Sequence, residues 1–144
     1  MKLQLVKGDD PVLRQRSIEV DRPNWKFVAN LAATLLATRG IGLAAVQVGI
    51  PARIFVLAWP KDGWSAFIDP VILKSEGECF STEGCLSLPG VVRKIKRAQY
   101  VELAYMNDSG LRVQQSFDGL LACAIQHEMD HLDGRLITDH LEVT

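Results

Sequence analysis

His127 and His131 stand four residues apart in the segment AIQHEMDHLDG, and Glu128 directly follows the first of them. Four residues is a little over one helical turn, so both imidazoles project from one helix face while Glu128 is rotated by about 100°. Two neutral imidazoles can bind a metal ion, and the adjacent carboxylate can exchange a proton with water on that ion. The alternative is a solvated helix end, but the apolar residues before His127 predict a buried helix. The spacing therefore predicts metal-assisted hydrolysis, which needs a further protein ligand.

Two regions offer a third ligand. Downstream, His140 follows His131 by nine residues, but the intervening LDGRLITD lacks the turn glycine at the spacing of peptidases with a downstream ligand. Upstream, Cys85 follows Gly84 in the segment STEGCLSLPG, where backbone freedom lets a thiolate project toward a helix. A thiolate and two imidazoles leave the fourth position of a tetrahedral ion open to water. We therefore favour Cys85, the alternatives being His140 as the ligand and Cys85 as a small buried residue.

A third segment, RGIGLAAVQVGI at 39–50, is rich in glycine and alanine and permits close approach of the backbone to another group. Its glycine spacing does not match a dinucleotide-binding fingerprint. Within 40–50, Gln47 has the only hydrogen-bonding side chain. A glutamine amide can donate to the oxyanion that forms when a carbonyl group is hydrolysed. From this segment alone, that role and the role of an ordinary turn glutamine both stand open.

Two helices are predicted to position these side chains. The segment NWKFVANLAATLLATRG has apolar residues at helical spacing, which predicts an amphipathic helix from a cap at Asn24 to a stop at Gly40. Its apolar face comprises Trp25, Val28, Leu31, Ala32, Leu35 and Leu36. The helix with the two histidines is predicted from Gly119 to His131, with Asp118 or Ser116 as its cap and Gly134 near its end.

The remaining elements are predicted to be strands. The segments ARIFVLAW and SAFIDPVILK, separated by the turn PKDG, have the composition of strands. Tyr100–Met106 and Leu111–Phe117 flank the turn NDSG and predict a hairpin. Few helices, and strands that do not alternate with them, favour an α+β fold of largely antiparallel sheets packed around a central metal-binding helix, with one amphipathic helix nearer the N-terminus.

The whole chain has the composition of an ordinary globular protein, with 48% hydrophobic and 23% charged residues among 144. We expect a single catalytic domain over 1–144. A net charge of −1 does not favour a general nucleic-acid binder, and the basic stretch RKIKR at 93–97 is interpreted as the solvated edge of a strand. No segment approaches the roughly 20 apolar residues of a membrane span. Three cysteines without a secretory signal favour a reducing compartment, so the expected location is the cytoplasm.

Taken together, the three segments resemble the three motifs of peptide deformylases in order and spacing. They are GIGLAAVQ at 40–47, EGCLS at 83–87 and QHEMDH at 126–131. The likeness extends to DDPVLRQRSIEV, FIDPVIL and HLDGRLITDHL, and so to nearly the whole chain. Leu86 in the second motif is similar to the bacterial and plastid branch. The resemblance implies removal of the formyl group from the N-terminal formyl-methionine of newly synthesised polypeptides, with release of formate.

The resemblance also implies a role for each site residue. Cys85, His127 and His131 would be the metal ligands, and Glu128 would be the general acid and base. Gln47 and the backbone N–H of Leu86 would form the oxyanion hole. The family characteristically uses Fe(II) and also accepts zinc, nickel or cobalt, so one divalent metal ion is the implied cofactor.

Helix geometry predicts the substrate pocket. Leu120, Cys123 and Ala124 lie one and two turns before His127 on the same face. With Ile41 and Gly42 of the first motif, they are expected to form an apolar wall for a methionine side chain, the alternative for each being an ordinary core residue. Cys79 is interpreted as a small buried residue, and Cys123 is not counted as a ligand. An extended peptide is expected to pair with a strand edge.

Two other functions compete with this interpretation. A metallopeptidase that cleaves internal bonds would need its third ligand downstream, and a non-catalytic metal-binding module would need a fourth ligand and would leave Glu128 without a role. The expected partners are N-formyl-methionyl nascent peptides, with no membrane and no sequence-specific nucleic acid. Bacterial members commonly continue into a C-terminal helix associated with ribosome docking, which this sequence lacks. The resemblance thus implies no more than a transient ribosome contact.

Overall fold

A five-stranded antiparallel sheet is the centre of the computed structural model, which describes residues 2–143. The helices and strands are α1 Trp25–Leu36, β1 Gly42–Ala44, β2 Ile54–Leu57, β3 Ser65–Glu76, β4 Cys79–Cys85, β5 Leu88–Arg97, β6 Tyr100–Met106, β7 Arg112–Asp118 and α2 Gly119–Leu132. Short 3-10 turns lie at Pro11–Arg14, Ala45–Val48 and Ile137–Asp139. The sheet has the order β1-β2-β3-β6-β7, while β4 and β5 form a separate antiparallel pair. The predicted α+β class is confirmed.

Each face of the large sheet is covered by a helix. Along β2 and β3, Phe55, Leu57 and Phe67 belong to the apolar cluster that contains the buried residues of α2. The alternate residues Ile54 and Val56 belong to the cluster that contains the buried residues of α1. Successive side chains of a strand point to opposite faces, so the uninterrupted apolar run of β2 is buried from both sides. Helix α2 therefore packs on the face of the sheet opposite to α1.

Helix α1 begins where the sequence predicts and ends earlier. The side chain of Asn24 accepts a hydrogen bond from the Phe27 N–H at 3.2 Å, which confirms the cap. The predicted stop at Gly40 is wrong, because the helix ends at Leu36 and the hydroxyl of Thr38 turns the chain by donating to the Leu35 carbonyl. The predicted apolar face includes two residues too many, since Trp25 and Leu36, the first and last residues of the helix, are exposed.

Helix α2 begins at Gly119, as predicted, and continues to Leu132, one residue further than predicted. Asp118 occupies the cap position without a side-chain hydrogen bond, and the alternative cap Ser116 lies inside β7. Gly134 follows the helix with a φ of 74°, a conformation that glycine adopts without strain. The predicted β6–β7 hairpin is confirmed, with its second strand shifted by one residue.

The basic stretch RKIKR lies in β5, as predicted, but it is not uniformly solvated. Ile95 is fully buried and Arg97 is only 5% exposed. The interpretation of the whole stretch as a solvated edge is therefore wrong for Arg97. Its guanidinium group is buried because carboxylates from two other elements surround it. Over residues 2–143, no helix has both the length and the apolar character needed to span a membrane.

Candidate metal centre

The three predicted ligands lie together. His127 and His131 project from α2 and Cys85 from the end of β4, and their ligand atoms all lie within 4.8 Å of one another. Cys85 Sγ is 3.5 Å from His131 Nε2. Over residues 2–143, this is the only group of three or more histidine, cysteine or acidic side chains with this proximity. His140 lies outside the group, with its Nε2 atom 2.7 Å from Asp130.

A tight turn aims Cys85 at the helix. Cys85 ends β4, and only Leu86 and Ser87 separate it from β5. The pairing register shifts between Gly84 and Cys85, so Cys85 is opposite Leu88 while Gly84 is opposite Val92. Irregularities of this kind re-aim a side chain at the end of a strand pair. The thiol is thereby brought to the α2 face that carries the histidines.

A carboxylate orients the first imidazole. Glu83 Oε1 lies 2.9 Å from His127 Nδ1, so His127 donates its Nδ1–H to Glu83 and presents Nε2 to the site. Burial alone would lower the pKa of His127, but hydrogen bonds to Cys85 and Glu83 raise it to about 10, so a metal ion that binds Nε2 would displace a proton. Burial lowers the pKa of His131 to about 3, and its Nδ1 atom has no hydrogen-bond partner among residues 2–143. His131 is thus held as a neutral imidazole, the form that binds metals.

Behind Glu83 lies an ion-pair network that the sequence analysis missed. Arg97 donates two hydrogen bonds to Glu83, at 2.9 and 2.7 Å, and a third to Asp130 at 2.8 Å. Although burial would raise the pKa of Glu83, hydrogen bonds from Arg97 and His127 hold it at about 2. Strand alternation could have indicated this arrangement, because Arg97 is two residues after Ile95 and shares its buried face.

Glu128 is the other carboxyl group at the site. Its side chain is almost fully buried, and its Oε2 atom is 4.0 Å from His127 Nε2. Burial raises the pKa of Glu128 to about 7. Its Oε1 atom has no hydrogen-bond partner within the described residues. A buried oxygen of this kind is normally satisfied by water or a ligand. Together with one thiol and two imidazoles, a donor set that suits iron, zinc, nickel or cobalt, this atom indicates that the residues fit a hydrated metal ion.

Gln47 is buried beside the thiol. Its carbonyl oxygen accepts a hydrogen bond from the Ala44 N–H at 3.0 Å, and its amide nitrogen donates to Ser87 Oγ at 3.3 Å and toward Cys85 Sγ at 3.6 Å. The main-chain carbonyl of Gln47 accepts a hydrogen bond from the Val6 N–H at 2.8 Å, which fixes the backbone of the turn. The amide N–H groups of Gln47 therefore face the turn that contains Cys85 and Leu86.

A cavity of about 490 Å³ opens beside these residues. All five predicted pocket residues line it, together with site residues from both β4 and α2; the five are Ile41, Gly42, Leu120, Cys123 and Ala124. Leu120 is 69% exposed and lies at the mouth, whereas Cys123 is buried. Ser81 and Thr82 also line the cavity, so its wall is less uniformly apolar than the sequence predicts.

The family model described as polypeptide deformylase matches residues 2–144. This chain belongs to the peptide deformylase family. It is 39% identical to peptide deformylase 2 of Xanthomonas campestris over 96% of this chain and 86% of that protein. It superimposes on the crystal structure of peptide deformylase from Thermotoga maritima with a TM-score of 0.92 and 34% identity, covering 99% of each chain. A peptide deformylase from Acinetobacter baumannii with Met-Ala-Ser bound gives a TM-score of 0.90 and 29% identity over 98% of this chain and 99% of that one.

Membership of the peptide deformylase family agrees with the prediction from the three motifs. The enzymes of this family are metal-dependent and remove the formyl group of N-formyl-methionyl peptides. In this chain, the Cys–His–His group occupies the end of β4 and one face of α2. The family and the enzyme class predicted from the sequence are confirmed.

Proposed function

We propose that residues 1–144 act as one catalytic domain that hydrolyses the formyl group of N-terminal formyl-methionine on newly synthesised polypeptides and releases formate. The observation that carries this proposal is the convergence of Cys85, His127 and His131, with Cys85, His127 and the buried Glu128 all lining one cavity. The methionyl peptide in the Acinetobacter baumannii relative supports a peptide that begins with methionine as the occupant of this cavity. Nascent chains as substrates imply action in the cytoplasm, with a transient ribosome contact.

One divalent ion, natively Fe(II), would be held by Cys85, His127 and His131. Zinc, nickel or cobalt can also occupy the site in purified protein, since thiolate and imidazole ligands suit all of these ions. When bound, the ion would act as a Lewis acid and make water nucleophilic near neutral pH. Glu83 holds the His127 ring with Nε2 toward the ion, and Arg97 holds Glu83. Metal analysis of anaerobically purified protein tests the assignment of iron.

Glu128 would move the proton. Its carboxylate accepts a proton from the attacking water and later returns it to the departing amine. Burial raises the pKa of Glu128 above its ordinary value, which suits both steps because the group can take up a proton and return it near neutral pH. Its Oε1 atom, which has no partner within residues 2–143, is available for this exchange.

Gln47 and the Leu86 N–H would stabilise the oxyanion. The Gln47 amide is held at its oxygen by Ala44 and at its nitrogen by Ser87, so its N–H groups need little reorganisation during the reaction. One such donor is worth about 3–4 kcal/mol in the transition state. The methionine side chain would enter the cavity between the β1 side, with Ile41 and Gly42, and the α2 side, with Cys123 and Ala124 and with Leu120 at the mouth.

The experiment is to incubate the metal-loaded protein with formyl-Met-Ala-Ser and with unformylated Met-Ala-Ser. Formate released from the first peptide, with no cleavage of either peptide bond, is the expected result. Proteolysis of the unformylated peptide would instead assign a peptidase. Glu128→Gln should abolish formate release while the metal content persists, and Glu19→Gln, an exposed change, should have no effect. Loss of metal together with activity in Glu128→Gln would contradict the acid–base role.

A further inference from the structure

Cys79 and Cys123 lie in contact outside the three-ligand group. Their sulfur atoms are 3.3 Å apart, with Cys79 at the start of β4 and Cys123 in the second turn of α2. Neither thiol belongs to the Cys85, His127 and His131 group. Nothing local in the sequence pairs these two cysteines, which are 44 positions apart. We propose that Cys79 and Cys123 are a thiol modification site at which a reversible disulfide forms in the wall of the substrate cavity.

The two thiols differ in their surroundings. Cys79 is half-buried, and its S–H also lies 3.7 Å from the Ala98 carbonyl. Cys123 is 7% exposed and lines the cavity. Burial, and then the hydrogen bond with Cys79, raise the pKa of Cys123 to about 11, which keeps it protonated. Because Cys79 is the more exposed of the two thiols, it meets the co-reactant first, and Cys123 completes the disulfide.

The co-reactant is a low-molecular-weight disulfide such as glutathione disulfide. The sulfur of Cys79 attacks one sulfur of this disulfide, its S–S bond breaks, and one thiolate leaves and takes up the proton that Cys79 gives up. The sulfur of Cys123 then attacks Cys79, displaces the second thiolate and gives up its proton to that group. Two protein thiols are oxidised and one disulfide is reduced to two thiols, so atoms and electrons balance.

The two sulfur atoms need to move only a short distance to form the bond. A disulfide bond is about 2.05 Å long, so the sulfur atoms must close by about 1.2 Å. The bond would join β4 to α2, the two elements that carry Cys85 and His127. It would also draw the Cys123 sulfur away from the cavity, which removes a contact for the first side chain of a bound peptide. This last consequence rests on the proposed function, whereas the disulfide itself does not.

The test equilibrates metal-loaded protein with glutathione disulfide, blocks the remaining thiols by alkylation and maps the peptides by mass. We expect the loss of two hydrogen atoms per chain, one peptide pair that links Cys79 to Cys123, and reversal by dithiothreitol. The melting temperature should rise by about 5–10 °C, because the bond closes a long loop. Persistent glutathione on Cys79, free thiols at both positions, or a disulfide that includes Cys85 would overturn the proposal.

Cys79→Ser is the matched control because residue 79 does not line the cavity. This variant should keep the turnover of the reduced enzyme and show neither the linked peptides nor the rise in melting temperature. Oxidation of the unaltered chain should raise KM for formyl-Met-Ala-Ser about fourfold, the effect of losing a methylene-sized contact. An unchanged KM in fully oxidised protein would overturn the placement in the cavity wall. Failure of all formate release would count against the proposed function alone, since the peptide map does not depend on turnover.

Discussion

At the scale of single residues, Glu128 and Glu83 show how surroundings give two carboxyl groups different tasks. Glu128 is buried with His127 Nε2 at 4.0 Å, beyond hydrogen-bond range, and burial raises its pKa to about 7. Glu83 is also buried, but hydrogen bonds from Arg97 and His127 outweigh that burial and hold its pKa at about 2. One group can therefore exchange a proton near neutral pH, while the other stays a carboxylate that orients the His127 ring.

The first prediction concerns the pH dependence of turnover. We expect kcat/KM to fall as the pH drops through the pKa of Glu128, because a protonated carboxyl cannot accept a proton from water. A bound divalent ion favours the carboxylate, so the acidic limb should lie between 4.5, the ordinary value for glutamate, and about 7. Initial rates at low formyl-Met-Ala-Ser concentration measure it. A profile that stays flat down to pH 4.5 would contradict this assignment, since Glu83 titrates too low to produce the limb.

Individual site residues were predictable to different degrees. The shared position of His127 and His131 followed from spacing, because two residues four apart must share a helix face wherever that helix packs. The choice of Cys85 as a candidate came only from weighing it against His140, whose imidazole is hydrogen-bonded to Asp130 instead. Alternation with Ile95 places Arg97 on the buried face of its strand, but the carboxylates that pair with it come from two distant segments, which no local pattern records.

At the scale of elements, Arg97 joins three of them. It projects from β5, pairs with Glu83 of β4 and pairs with Asp130 of α2. The separate β4–β5 hairpin is thereby held against the helix by a buried charge pair as well as by apolar contacts. A fixed hairpin would matter for the proposed metal site, because the hairpin carries Cys85 while the helix carries the two histidines.

Arg97→Met should lower the free energy of unfolding by about 3–5 kcal/mol, because it leaves the Glu83 carboxylate buried without its main partner. Arg93→Met, in the same strand, is the control. Its partner Glu142 is 3.6 Å away and both side chains are partly exposed, so the loss should stay below about 1 kcal/mol. Urea denaturation of both variants measures the difference. Equal losses would show that Arg97 contributes no more than a surface ion pair.

Gly42 of β1 leaves room for the Glu128 carboxylate because glycine has no side chain. A Cβ atom on Gly42 would lie 2.7 Å from Glu128 Oε2 and 2.9 Å from Leu57 Cδ2. We expect Gly42→Ala to displace the carboxylate and to lower kcat about a hundredfold while the metal content is unchanged, because a shift of about 1 Å has that effect on catalysis. Gly63→Ala, where the added atom would meet only the Pro60 carbonyl at 3.5 Å, should leave kcat unaltered. Steady-state kinetics and metal analysis of both proteins decide the matter, and normal kcat in Gly42→Ala would contradict it.

At the scale of the whole molecule, the end of α2 is held by distant parts of the chain. The Leu132 carbonyl accepts hydrogen bonds from the Ser17 N–H at 2.8 Å and from the Arg53 guanidinium at 3.0 Å. A Cβ atom on Gly134 would lie 2.5 Å from the Arg14 carbonyl oxygen. The N-terminal segment therefore closes against the end of the helix that carries the two histidines.

Gly134→Ala should destabilise the fold more than Gly90→Ala does. Both glycines have a φ between 70° and 80°, so both substitutions cost about 1–2 kcal/mol of backbone strain. Only at residue 134 does the new atom also meet another backbone, since nothing lies within 4 Å of a Cβ on Gly90. Thermal denaturation of the two variants isolates the steric contribution. Equal melting temperatures would mean that the segment around Arg14 moves aside without lowering the stability of the fold.

The class of the fold was more predictable than its topology. Helical and strand periodicities differ, so α1, α2 and the β6–β7 hairpin followed from local patterns. The separation of β4 and β5 from the main sheet could not be predicted in this way. It arises because β3 pairs with β6, which lies beyond β4 and β5 in the chain. The burial of β2 on both faces likewise depends on helices that lie elsewhere in the chain.

Cys85 and His131, 46 positions apart in the chain, meet only in the native state. An ion that requires both donors consequently draws the polypeptide toward that state by mass action. At a free concentration one hundred times its dissociation constant, such an ion adds about 2.7 kcal/mol to stability. Removal of the ion would therefore raise the unfolded fraction of the chain about a hundredfold, and with it the exposure of the chain to proteolysis.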